Sequence, residues 1–83
     1  MTRLLNPPRP ITLRLDPAGA PCYLQAHPLV GDLRAVQNWL VDVDWWDNPV
    51  RREYWRVMLR GRILCEVFRD LDQDAWFLER VYD

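Results

Sequence analysis

The residues best equipped for chemistry lie in one run, DVDWWDNPVRREYWR, at positions 42–56. It sets Trp45, Trp46, Tyr54 and Trp55 among the acids Asp42, Asp44, Asp47 and Glu53 and the bases Arg51, Arg52 and Arg56. Rings interleaved with guanidinium groups suit two tasks. They can stack on the bases of single-stranded nucleic acid while holding its phosphates, or they can anchor a protein interface, where Trp, Tyr and Arg carry much of the binding energy. The candidate partner-binding residues are therefore Trp45, Trp46, Arg51, Arg52, Tyr54 and Arg56. The competing use of the same rings is plain core packing.

Other chemistries find little support. The run DLDQDA, residues 70–75, alternates carboxylates like the start of a calcium loop, but Ala75 stands where the sharp turn needs Gly and Val81 where a bidentate Glu belongs. It reads as a solvated hairpin turn. His27 is the sole histidine, and Cys22 and Cys65 are far apart in the chain, so no metal-ligand spacing forms. His27 has no nucleophile motif around it and sits in the loop sequence HPLVGD. Gly19, Gly31 and Gly61 are isolated, which rules out a glycine-rich phosphate cradle. The dense carboxylates fall in charged turns, which argues against paired general acid/base work. The expectation is a protein that is not an enzyme and takes no metal or cofactor.

All eleven basic residues are Arg, and the formal net charge is −1. Bulk attraction to nucleic acid or an anionic membrane is absent at that balance. Arg51, Arg52, Arg56, Arg60 and Arg62 gather around one hairpin, with Asp42, Asp44 and Asp47 before them and Asp70, Asp72 and Asp74 after. This neutralised surface favours a protein partner, with single-stranded DNA as the alternative and a homodimer as a third reading. No apolar run is long enough for a signal peptide or a membrane span, so a cytoplasmic, non-membrane protein is expected, with both thiols reduced.

Eighty-three residues make one domain with a marginal core, so several of the five tryptophans must supply buried area. Residues 1–10, MTRLLNPPRP, read as a proline-rich extended arm outside a single small β domain at 11–83. A first hairpin follows, ITLRLD and CYLQA around the turn DPAGAP. From Leu33 to Trp46 the pattern is mixed: Val36, Trp39, Leu40 and Val43 fit a helical face, but QNWLVDVDW alternates with period two except at Leu40. Strand is the better fit, with a helix over 33–40 as the alternative. DNPV reads as a loop, since Pro49 cannot donate to a central ladder. REYWRVML, RILCEVFRD and AWFLERVYD then form an antiparallel meander. The fold class is mainly β, an antiparallel meander of five to six strands in a strongly twisted sheet or small barrel, with at most one short helix. Trp55 shares a strand face with Val57 and Leu59 and should be core. Trp45 and Trp46 are adjacent and must face opposite sides, so one of them is the expected hot spot.

The pattern WWD, RREYWRVML, FRDL and WFLERVYD, from Trp45 to the C-terminus, resembles the C-terminal segment of ImuB, a Y-family-polymerase-like bacterial protein. It resembles more closely a family of small, uncharacterised bacterial proteins that share this segment. ImuB acts as a recruiting hub in a damage-inducible mutasome with a RecA-like partner and a replicative-type polymerase. The resemblance implies a DNA-repair or translesion-synthesis setting. It brings no catalytic carboxylates, because the chain has no polymerase palm, so what carries over is an accessory or docking role.

Overall fold

The computed structural model describes residues 2–45 and 48–82, with the side chains of all of these except Trp45 and Asn48. Six strands follow in order: β1 (Thr2–Leu15), β2 (Pro21–Ala26), β3 (Leu29–Trp45), β4 (Asn48–Leu59), β5 (Ile63–Asp70) and β6 (Ala75–Tyr82). Each pairs antiparallel with the next, and β6 pairs back onto β1, which closes a barrel. No helix occurs among the described residues. Nor is any helix long and apolar enough to cross a membrane.

Closure depends on two long strands that each serve two neighbours. Residues 2–11 of β1 pair with β6 and residues 12–15 with β2. Likewise, residues 29–32 of β3 pair with β2 and residues 33–45 with β4. After Asp32 the strand exchanges β2 for β4 as its neighbour, and its far end, residues 42–45, runs on with β4 beyond the point where β4 pairs with β5. Segment 33–40 is strand because β4 offers it an antiparallel partner, Leu33 opposite Leu59 through Leu40 opposite Glu53, with one bulge between Ala35 and Gln37. The residue that breaks the alternation, Leu40, is 61% exposed, so its apolarity never had to satisfy the core.

The core lies inside the closed end. Leu24, Ala26, Leu33, Val57, Leu59, Cys65, Val67, Leu78 and Val81 are buried together, and Trp55 and Trp76 pack against them. Trp55 thus takes its expected side but stays only partly buried. Gly31 has φ +153°, and a Cβ there would sit 2.8 Å from Cγ of Arg60, whose backbone N–H donates to the Asp32 carbonyl at 2.9 Å. That close approach ties the start of β3 to the β4–β5 turn.

Two local readings are corrected. The arm at 1–10 is not outside the fold, since its described residues belong to β1 and pair with β6 from Thr2 opposite Tyr82 to Pro10 opposite Phe77. The register jumps from Leu4 opposite Arg80 to Arg9 opposite Leu78, so residues 5–8 bulge out of the ladder. An edge strand with a bulge can hold prolines because their missing N–H groups break no ladder bonds. Likewise, β4 begins at Asn48 and includes Pro49, opposite Asp44. At that height β4 has β3 as its only strand neighbour among the described residues, because pairing with β5 starts at Arg52.

Cys22 and Cys65 are free thiols, as the sequence led us to expect. Burial pushes the Cys65 thiol from its ordinary 9.0 up to about 11. A folded-state value above the unfolded one means stability is complete below pH 9 and falls as pH rises toward 11. The expected loss is on the order of 2 kcal/mol. Urea melts across that range should show it, and Cys65→Ala should flatten the slope. An equally steep slope in the variant would assign the effect to other groups.

Candidate functional site

Three strands carry adjacent apolar pairs: Tyr54–Trp55 in β4, Val67–Phe68 in β5 and Trp76–Phe77 in β6. Neighbouring strand residues point to opposite faces. Trp55, Val67 and Trp76 turn to the core, and Tyr54, Phe68 and Phe77 turn away from it. The register then sets the outward members side by side: Trp39 opposite Tyr54, Tyr54 opposite Phe68, Phe68 opposite Phe77, and Phe77 opposite Pro10. One aromatic row crosses β3, β4, β5 and β6. Its ring centroids are 5.4 Å apart for Trp39–Tyr54 and 5.2 Å for both Tyr54–Phe68 and Phe68–Phe77. Such cross-strand pairs stabilise a sheet beyond the area they bury.

Arginines cap the row. The Arg52 guanidinium lies 4.3 Å from the Phe68 ring centroid and that of Arg56 5.5 Å from Trp39. Arg52 Nη1 donates to the Tyr54 hydroxyl at 3.2 Å and lies 3.8 Å from Glu79 Oε2. Tyr54 in turn donates to Glu79 Oε2 at 3.4 Å. Burial holds the Tyr54 hydroxyl above its ordinary value of 10.0, so it remains a neutral donor. Beside it, Arg56 donates to Gln37 Oε1 and to Glu66 Oε1, each at 3.3 Å. Glu66 is the buried acid of the described residues, 7% exposed; it also accepts from Tyr82 at 2.6 Å and faces Arg80 Nε at 3.8 Å. A carboxylate so placed is tolerable because two guanidinium groups and a hydroxyl replace its water.

Next to the row is a cleft of about 190 Å³, lined by Pro7, Pro8, Arg52, Phe68, Asp70 and Phe77. The bulged arm of β1 forms one wall, and the stacked rings of Phe68 and Phe77 form part of its lining. Arg52 and Asp70 add charge to it.

The structure brings three of the expected residues, Arg52, Tyr54 and Arg56, to this face. Arg51 stands apart, paired with Asp72 at 3.5 Å where both are half exposed. Trp45 ends β3 opposite Asn48. Its side chain, and Trp46 altogether, lie outside the described residues, as does the choice between them as hot spot. The sequence reading missed Trp39, Phe68, Phe77, Glu66 and the two prolines of the cleft. The doublets Val67–Phe68 and Trp76–Phe77 were the available signal, because an apolar pair in a strand must serve both faces.

The acidic turn behaves as a turn. Asp70 Oδ1 accepts from the N–H groups of Asp72 and Gln73 at 3.0 and 3.1 Å, and Asp74 N–H donates to the Asp70 carbonyl at 2.7 Å. Among the described residues no group of three His, Cys, Asp or Glu side chains is arranged to hold a metal. Set against known proteins, the chain matches no family model, no curated protein and no solved structure, so the aromatic face has to be interpreted from its own geometry.

Proposed function

We propose that the domain is a non-enzymatic protein-docking module whose contact surface is the aromatic face of β3–β6. The observation that carries this reading is the pre-neutralised state of the cations around the aromatic row: Arg52 is engaged with Glu79, and Arg56 and Arg80 with Glu66. A phosphate backbone would have to break these pairs, and the net charge of −1 gives no counterion-release gain to offset that. A protein side chain entering the cleft between Pro7, Pro8 and Phe77 meets ready-made apolar walls with Arg52 and Asp70 beside them. Interface anchors sit in pockets that the partner closes off from water.

The resemblance of residues 45–83 to the C-terminal segment of ImuB supports a translesion-synthesis setting, with the RecA-like protein and the replicative-type polymerase as the partners to try. Calorimetric titration of the domain with each should give saturable binding to one of them. Phe77→Ala, with its fold confirmed by circular dichroism, should weaken that binding by about 2 kcal/mol, roughly 30-fold. Binding that Phe77→Ala leaves unchanged removes the aromatic face from the account. Failure of both proteins to bind removes the translesion setting.

A further inference from the structure

Beyond Asp32, β3 is hydrogen-bonded on one side only. β2 stops pairing with it at Tyr23 opposite Asp32, and β4 occupies the other side from Leu33 to Trp45. Such an edge is a template for another strand. It is also where exposed apolar residues gather: of the five large hydrophobics most exposed among the described residues, Val36, Leu40 and Val43 belong to this one strand, at 53%, 61% and 51%.

Not every strand suits this edge. A bulge interrupts it between Ala35 and Gln37, and Asp42 and Asp44 place carboxylates along it. These are the devices that turn away unspecific strands. They leave a regular stretch from Gln37 to Val43, whose middle residue is Leu40. We infer that this stretch pairs antiparallel with the same stretch of a second copy of the chain, about a two-fold axis at Leu40.

That register is complementary at its centre. On one face Leu40 meets the partner's Leu40, and Asn38 meets the partner's Asp42, an amide donating to a carboxylate. On the other face Trp39 meets the partner's Val41, and Gln37 meets the partner's Val43. No like charges stand directly opposite, the arrangement that destabilises a strand pair. The carboxylate that repels a foreign acidic or apolar strand is satisfied by the chain's own Asn38. An isologous pair of this kind closes on itself and leaves no further edge of β3 to propagate a fibre. It also joins the two β3–β6 sheets edge to edge, so their aromatic rows lie on one continuous surface. The association does not depend on the docking role of that surface.

Sedimentation equilibrium of the full chain across a concentration series tests this without any partner. The expected result is a reversible approach to twice the monomer mass. Leu40→Arg, which sets two guanidinium groups face to face at the axis, should hold the protein at monomer mass. Asn38→Asp, which opposes carboxylates twice per dimer, should weaken association at least tenfold. Leu15→Arg, at an exposed position on β1, should leave it unchanged. A wild-type chain that stays monomeric throughout overturns the inference. So does a dimer that survives both Leu40→Arg and Asn38→Asp, and so does one that Leu15→Arg abolishes equally. Because Leu40 and Asn38 are exposed, their variants should keep the native circular-dichroism spectrum; the two act by different charges, so one serves if the other misfolds.

Discussion

Phe68→Ala should cost about 4 kcal/mol of folding stability, although the ring faces away from the core. Phe68 is 2% exposed because Tyr54 and Phe77 flank it at 5.2 Å and Arg52 covers it at 4.3 Å. Truncation removes two ring contacts and a cation over a ring face, and it opens the floor of the cleft. For a domain of 83 residues this is a large share of the total, and the melting midpoint should fall by roughly 15–30 °C. Phe68→Leu refills most of the volume and should cost less than half as much. Urea unfolding of the two variants gives the comparison. A cost below about 1 kcal/mol for Phe68→Ala would mean that Tyr54, Phe77 and Arg52 do not clamp the ring.

The second large effect is at Trp55, on the opposite face of the same sheet. Trp55→Ala should cost about 3 kcal/mol, since the indole packs against the closed-end core. Trp55→Phe should cost about 1 kcal/mol or less. The indole Nε1 is shielded from solvent and has no hydrogen-bond partner, so removing that N–H relieves a desolvation cost that offsets part of the lost contact. Equal losses in the two variants would show that Nε1 is satisfied in solution. Thermal melts of both, followed by far-ultraviolet circular dichroism, decide between these outcomes.

The β architecture was legible because the meander is written in short-range terms. REYWRVML, RILCEVFRD and AWFLERVYD are aromatic and β-branched runs split by turn residues, and each became a strand at nearly the expected place. The proline arm was misread because proline forbids a ladder bond only where one is required, and nothing local announces that residues 5–8 bulge from an edge. The site was half legible for a similar reason. Arg52, Tyr54 and Arg56 cluster in sequence, so composition found them. Trp39, Phe68 and Phe77 reach the same row only through three inter-strand registers, which are long-range quantities. Glu66 shows the same limit: it lies in the apolar run ILCEVF, and its two arginines and its tyrosine come from β4 and β6.

The central claim is that the aromatic face is built for protein and not for nucleic acid, because Arg52, Arg56 and Arg80 are already paired with carboxylates. Tryptophan fluorescence during titration with single-stranded DNA, at low and at high salt, tests it most directly. The account predicts no saturable change at either salt, since Arg52, Arg56 and Arg80 are already paired with carboxylates and the buried Phe68 ring offers no platform to a base. Saturable quenching at low salt that fades at high salt, and that Arg52→Ala abolishes in a folded protein, would contradict it.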